Sequence, residues 1–129
     1  MRIEDFFQNT LVHEESDLEV FLSRRYGDGV NSFWLHHFDE LPLPAISLLV
    51  KGDISSLVYF PAKSHPGFKS VGHLKDLAPD GTTTFFLDNL KQRQELLNDS
   101  VVSFQVALQV AKEFLISGDL PTAIEWFEL

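Results

Sequence analysis

The chain has 129 residues, which suits one domain over residues 1–129, and its 44% apolar and 22% charged residues exclude a disordered chain. The sequence has no cysteine, which excludes a disulfide scaffold, a thiolate zinc site and a cysteine nucleophile. Ten Lys and Arg against 19 Asp and Glu give a net charge of −9, so nucleic acid and anionic membranes are not expected as direct partners.

A first helix is predicted over residues 16–26. Ser16 and Glu19 have the spacing of a capping box, in which the serine oxygen accepts a hydrogen bond from the third helical amide. Apolar residues then recur at helical spacing, and Gly27 supplies a left-handed stop.

Strands are predicted in the middle of the chain and at its end. The predicted strands are residues 32–38, Ala45–Lys51, Ile54–Phe60, residues 82–88 and residues 123–129. Gly52-Asp53 fits a type II′ hairpin turn between the second and third of these. Residues 61–72 hold two prolines and two glycines and are predicted to be an ordered loop. Residues 91–97 fit either a helix or a strand paired with residues 82–88.

A second helix is predicted to begin after Ser103, its N-cap, and to end at Gly118, with Pro121 preventing a restart. Strands flanked by two amphipathic helices favour an α+β fold. We therefore expect an antiparallel sheet of five or six strands with two main helices packed on one face.

The five histidines show no pattern typical of a metal site. His36 and His37 are adjacent on a predicted strand and point to opposite faces, so they cannot chelate one ion together. His65 and His73 are the candidates for a small histidine-dependent hydrolase, although no acidic residue lies close to His65 in sequence. No phosphate-binding glycine loop is present, and neither a metal nor a cofactor is expected.

Aromatic and acidic residues near the chain ends are candidates for an interaction surface. Phe6, Phe7 and Phe127 are possible exposed anchors among the 12 phenylalanines. Residues 4–19 and 113–129 hold several acids and no Lys or Arg, and they would form a strongly negative face if the two segments meet.

The first residues lack the apolar core of a signal peptide. The longest apolar stretch, residues 45–50, is far shorter than the roughly 20 residues that a membrane helix needs. We therefore expect a cytoplasmic protein.

A series of short motifs runs through the second half of the chain. These motifs are Leu57-Val58-Tyr59-Phe60, His65-Pro66-Gly67-Phe68-Lys69-Ser70-Val71-Gly72, Val101-Val102-Ser103-Phe104, Ala107, Ala111-Lys112-Glu113-Phe114, Gly118-Asp119-Leu120-Pro121 and Ile124-Glu125-Trp126. Trp34, followed by the strand around residues 46–50, fits the upstream part. In their order and spacing, residues 30–129 resemble the immunity proteins of bacterial polymorphic-toxin systems, specifically immunity family one. Residues 1–28 are not covered by the resemblance.

The resemblance implies a non-enzymatic inhibitor without a catalytic site or cofactor. Proteins of this type are partners of secreted toxins, often nucleic-acid deaminases that include deaminases acting on double-stranded DNA. The inhibitor is made in the cytoplasm of the toxin producer and prevents self-poisoning. Gly67, Gly118, Pro121 and Trp126 match recurrent positions of the family and fit turn, helix-stop and core roles.

A toxin that acts on nucleic acid needs a basic substrate groove, which an acidic protein can cover. We therefore expect the partner to be a cognate toxin with a basic active-site cleft rather than a small-molecule substrate. The candidate toxin contacts lie at predicted turns and strand ends, and they are Asp39, Glu40, Asp53, Asp76, Asp80 and Asp88. The alternatives are an interaction module unrelated to toxins and, in third place, the histidine-dependent hydrolase.

Overall fold

The computed structural model describes residues 1–129 and contains two α-helices and ten strands. The helices are α1 (Glu15–Leu22) and α2 (Phe104–Ser117), and a short 3-10 helix spans Asn98–Ser100. The strands are β1 (Arg2–Glu4), β2 (Asn9–Leu11), β3 (Val30–His36), β4 (Ala45–Lys51), β5 (Ile54–Phe60), β6 (Phe68–Val71), β7 (Thr82–Phe86), β8 (Arg93–Leu97), β9 (Val101–Ser103) and β10 (Glu125–Glu128). Neither helix has the length and apolar character needed to cross a membrane.

Eight of the strands form one antiparallel sheet in the order β10-β6-β5-β4-β3-β1-β2, and β9 pairs with β5. Strands β7 and β8 form a separate hairpin. The predicted α+β class is therefore confirmed, but the expected five or six strands were too few. The additional strands are three- or four-residue segments, too short to show an alternating pattern of their own.

The hairpin of β4 and β5 has the predicted boundaries. Gly52 has a φ of +57°, which the first position of a type II′ turn requires, and Asp53 has no positive φ. All seven residues of β4 pair with β5, from Ala45 opposite Phe60 to Lys51 opposite Ile54. This hairpin forms the centre of the large sheet.

Helix α2 also begins and ends where the sequence predicts. The Ser103 hydroxyl oxygen accepts a hydrogen bond from the Val106 N–H at 3.2 Å. Gly118 has a φ of +70°, and its N–H donates to the Phe114 carbonyl at 2.9 Å. A Cβ at Gly118 would lie 2.7 Å from the His37 ring, so this position has no room for a side chain.

The predicted capping box of α1 does not form. The helix begins at Glu15 after the N-cap residue Glu14, which places Ser16 inside the helix, and no side chain caps it. The helix ends at Leu22 rather than at residue 26. The Arg25 Nη1 donates to the Leu22 carbonyl at 2.7 Å, so an arginine side chain satisfies a terminal carbonyl before Gly27 is reached.

One further segment differs from its sequence prediction, and in another the structure decides between two predicted alternatives. The predicted loop over residues 61–72 contains β6, which pairs with β5 on one side and with β10 on the other. Its partners lie elsewhere in the chain, so its local composition could not reveal the strand. Residues 91–97, left open between helix and strand, contain β8, which pairs with β7.

The two faces of the large sheet are covered unequally. Both helices pack on one face, which we call the helix face, over a core of 20 buried residues that includes Phe33, Leu35 and Phe114. The β7–β8 hairpin packs on the other face over a small cluster formed by Leu49, Phe85 and Val101. Part of this second face has no such cover.

One edge of β5 is shared by two strands, β6 and β9, and a polar seam lies where they meet. The Leu57 N–H donates to the Ser70 hydroxyl oxygen at 3.0 Å, and the Ser70 hydroxyl donates to the Ser100 carbonyl at 2.6 Å. Next to the seam, a Cβ on Gly72 would lie 1.8 Å from the Val101 carbonyl oxygen. The backbones of residues 72 and 101 can approach this closely because residue 72 is glycine.

Candidate functional site

An open groove of about 450 Å³ lies on the part of the sheet that neither the helices nor the β7–β8 hairpin covers. We call it the open-face groove. Its lining includes Glu4, Trp34, His36, Pro42, Phe60 and His65. No group of three or more His, Asp or Glu side chains in residues 1–129 could hold a metal ion.

The sheet brings the groove residues together through its register. Glu4 of β1 lies opposite Trp34 of β3, and Arg2 lies opposite His36. Because side chains alternate along a strand, Trp34 and His36 point away from the core that contains Phe33. Trp34 and His36, two residues apart on β3, therefore share the face opposite to that core.

Aromatic rings form the floor of the groove. The Trp34 ring centroid lies 6.4 Å from that of His36, with 19° between the ring planes, and 5.9 Å from that of Phe60. The Trp34 Nε1–H donates to Asp88 Oδ1 at 3.0 Å, and this hydrogen bond orients the indole. Trp34 and Phe60 are only partly buried, so ring surface is accessible from outside.

His36 and Glu4 form a polar corner of this groove. His36 Nδ1 lies 2.8 Å from the Pro42 carbonyl oxygen, and because a carbonyl only accepts, Nδ1 carries the proton of this bond. Nε2 has no hydrogen-bond partner and lies 3.7 Å from Glu4 Oε2. His36 is only 9% exposed, so the groove contains a buried ring nitrogen without a hydrogen bond.

His65, one of the two proposed hydrolase residues, has both ring nitrogens in use. Nδ1 accepts a hydrogen bond from the Gly67 N–H at 2.8 Å, and Nε2–H donates to Glu128 Oε2 at 2.9 Å. His65 therefore has no free nitrogen to act as a general base. His73 is exposed on another part of the surface, beside Gly72.

Two ionisable groups whose pKa values are shifted, Asp39 and Tyr26, form hydrogen bonds that contribute to the shift. Asp39 accepts a hydrogen bond from the N-terminal amine of Met1, 2.8 Å away, and this hydrogen bond lowers the pKa of Asp39. Burial, together with a hydrogen bond to Asp5, raises the pKa of Tyr26. Burial likewise raises the pKa of Tyr59, in the core, and lowers that of Arg25.

None of the six candidate toxin contacts lines the open-face groove, and only Asp88 contacts a groove residue. Asp39 and Glu40 lie in the β3–β4 connection, which also supplies Pro42, and Asp88 bonds Trp34. The other three lie elsewhere: Asp53 in the β4–β5 turn, at the other end of these strands, and Asp76 and Asp80 in the β6–β7 connection. The structure therefore does not bring the six together as one patch.

The two acidic chain ends do not meet within the sheet. Strands β1 and β2 lie at one edge and β10 at the other, so the exposed Phe7 and Phe127 are on opposite edges. Phe6 is half-buried. The acidic segments approach each other only in the helix layer, where Glu15 and Glu113 line one hollow.

Sequence reasoning did not recognise Glu4, Trp34, His36 and Phe60 as parts of one site. These residues are spread over three strands, and only the strand order and register place them side by side. The one available signal was the alternation in β3, which puts Trp34 and His36 on the same face.

Comparison with known proteins identifies the family. No family model matches the chain. The double-stranded DNA deaminase immunity protein of Burkholderia cenocepacia (strain H111) is 31% identical to it over 129 residues, which is the full length of both proteins. The match includes residues 1–28, which the motif resemblance left uncovered. Because an immunity protein is an inhibitor, the expectation of a protein that is not an enzyme is confirmed. The chain belongs to the family of deaminase immunity proteins.

Proposed function

We propose that this protein binds and neutralises a cognate deaminase toxin that acts on nucleic acid, and that it does so by covering the toxin's active-site cleft with an acidic surface. The observation that carries the proposal is the full-length similarity to an immunity protein whose name specifies a double-stranded DNA deaminase. The protein acts in the cytoplasm of the cell that makes the toxin, and it contacts the toxin rather than nucleic acid or a membrane.

The charge of the chain supports this mode of inhibition. An enzyme that binds a phosphate backbone needs a basic groove, and a protein with a net charge of −9 is attracted to such a groove. Attraction between opposite charges accelerates association, whereas buried aromatic contacts slow dissociation. A standard interface covers about 800 Å² per partner. That is about a ninth of the 6984 Å² accessible surface of this protein.

The experiment that tests the proposal uses the toxin domain encoded beside this chain. Purified toxin is assayed for deamination of double-stranded DNA with increasing amounts of the immunity protein, and complex formation is followed by size-exclusion chromatography. We expect loss of deamination near one equivalent and a stable complex. Cells that express the toxin should survive only when the chain is co-expressed, with a catalytically inactive toxin as the control for toxicity. Absence of both complex and protection contradicts the proposal.

A second measurement isolates the role of charge. The association rate constant should fall as the salt concentration rises, because ions screen the attraction between exposed charges. An association rate that does not depend on salt would contradict steering by the acidic surface, while inhibition itself would still stand.

A further inference from the structure

We propose that the open-face groove is the part of this protein that receives the toxin, and that its occupant is an arginine side chain from the toxin's nucleic-acid-binding surface. This inference rests on the proposed function and deepens it by naming the contact surface and the group it binds. Two observations carry it: the uncovered aromatic floor, and the acceptors without protein donors at the corner formed by His36 and Glu4.

The aromatic floor is surface that the fold itself does not use. Helices α1 and α2 bury the other face of the same strands, but Trp34 and Phe60 remain partly accessible over a groove of about 450 Å³. The indole N–H of Trp34 is already paired with Asp88. A partly exposed tryptophan offers a large contact area, and tryptophan is enriched among the residues that dominate binding energy.

The polar corner of the groove has hydrogen-bond acceptors that lack donors. The His36 tautomer that carries its single proton on Nδ1 presents a lone pair at Nε2, and the neighbouring Glu4 carboxylate is also an acceptor. Arg2 Nε forms an ion pair with Glu4 Oε1 at 3.6 Å, too long for a hydrogen bond, so the buried Arg2 Nε–H does not satisfy the Glu4 carboxylate. A partner that brings several N–H groups would supply donors to both acceptors.

The buried position of Nε2 does not block such a donor. Glu4 Oε2 lies 3.7 Å from Nε2, and 40% of the Glu4 side chain is exposed. Its carboxylate can therefore rotate toward solvent and bind one edge of an incoming group while Nε2 binds another. The groove also has one positively charged lining residue, Lys63. It follows β5, which β4 and β3 separate from the strand β1 that holds Glu4.

An arginine fits these features better than a lysine or an apolar side chain. Its guanidinium is planar and stacks on aromatic rings, so it can pack on the accessible ring surfaces of Trp34 and Phe60. It carries five N–H donors, enough for Glu4 and His36 together, and its apolar stem can pack against Pro42. A lysine ammonium cannot stack in this way, and an apolar side chain would leave both acceptors unpaired.

The test measures the affinity of groove variants for the catalytically inactive toxin domain encoded beside this chain, by titration calorimetry. Because hot-spot residues contribute most of the binding energy, we expect Trp34→Leu to weaken binding about 30-fold or more. Glu4→Gln should weaken it about 10-fold because a charged hydrogen bond is lost. The matched controls are Glu15→Gln, the same charge change on the helix face, and Phe127→Leu, an exposed aromatic at the β10 edge. Both controls should stay within about 3-fold of wild type.

The outcomes separate this inference from the proposed function. If wild type does not bind, the proposed function fails. If wild type binds and both groove variants bind equally well, the groove is not the contact surface and this inference is wrong. Circular dichroism and urea unfolding verify that the variants are folded. Glu4→Gln changes a partly exposed side chain, so it provides a folded variant even if Trp34→Leu is unstable.

Chemical labelling identifies the occupant. The toxin is treated with phenylglyoxal, which modifies arginine, alone and in complex with wild type or Glu4→Gln, and the products are mapped by mass spectrometry. We expect one toxin arginine to be protected by wild type and substantially less by Glu4→Gln at equal occupancy. If groove variants lose affinity but no arginine shows this difference, the occupant is a lysine or an apolar side chain, and the arginine assignment is wrong.

Discussion

The two faces of the large sheet use adjacent residues of the same strand for different purposes. Phe33 of β3 is 1% exposed and packs in the core beneath the helices, while Trp34, the next residue, faces the open-face groove. The helix face has 20 buried residues in its core, whereas the β7–β8 hairpin covers a core of three on the other face. Because one face supplies most of the packing, the other can keep aromatic surface accessible for a partner.

The sharpest test of this contrast is the pair Phe33→Ala and Trp34→Ala. Phe33→Ala removes a fully buried ring and should lower the free energy of unfolding by about 3–5 kcal/mol. Trp34→Ala should cost less than about half of that, because its ring is only partly buried. Urea unfolding followed by circular dichroism measures both. Equal costs would mean that the open face contributes as much to stability as the helix face does.

A second prediction concerns the end of α2 on the helix face. Gly118→Ala places a Cβ in a left-handed backbone conformation, which costs about 1–2 kcal/mol, and brings it 2.7 Å from the His37 ring. Gly52→Ala is the matched control, because Gly52 also has a positive φ but no atom lies within 4 Å of its Cβ position. Gly118→Ala should therefore be the more destabilising variant in urea unfolding. The reverse order would show that the His37 ring moves away freely.

A third, smaller effect compares the two helix starts. Ser103→Ala removes the side-chain cap of α2 and should cost about 1 kcal/mol of unfolding free energy. Ser16→Ala should change it by less than about 0.5 kcal/mol, because Ser16 caps nothing. Thermal and urea unfolding measure both values. A cost for Ser16→Ala similar to that of Ser103→Ala would indicate a capping bond that the structure lacks.

The smallest expected effect on stability concerns the ion pair between Asp39 and the N-terminal amine. Asp39 has a pKa below its usual 3.8 because it accepts a hydrogen bond from the N-terminal amine. A carboxyl whose pKa is lowered by folding stabilises the protein at pH values above 3.8, and this contribution is lost as the pH falls through the pKa of the folded state. Asp39→Asn should therefore be slightly less stable than wild type at pH 7, and the difference should shrink as the pH falls below 3.8. Urea unfolding of protein with a free N-terminus over a series of pH values measures the difference, and a gap that does not shrink with falling pH contradicts the assignment.

The sequence was most informative where local chemistry determines structure. The Gly52-Asp53 turn and the Ser103 cap are properties of neighbouring residues, so the β4–β5 hairpin and the start of α2 were predicted correctly. The first helix shows the limit of such rules. Ser16 and Glu19 have capping-box spacing, but the N-cap is Glu14, two residues earlier, and Arg25 satisfies a carbonyl at the helix end.

Features that depend on distant partners could not be predicted in this way. Strand β6 lies in a segment rich in proline and glycine and forms because β5 and β10 lie on either side of it. The open-face groove combines residues from Glu4 to His65, and their proximity depends on the order β5-β4-β3-β1. The resemblance to immunity proteins, by contrast, rests on the order and spacing of motifs along the chain and requires no knowledge of these contacts.

At the polar seam beside β5, one side-chain oxygen is the hydrogen-bond acceptor of a buried main-chain amide. The amide of Leu57 is buried in the middle of the sheet, at the step where β9 gives way to β6, and its hydrogen bond goes to the Ser70 hydroxyl. Replacing that hydroxyl with a methyl group would leave a buried main-chain amide without a hydrogen-bond acceptor. An aliphatic residue at position 70 would therefore destabilise the sheet although it suits a buried strand position.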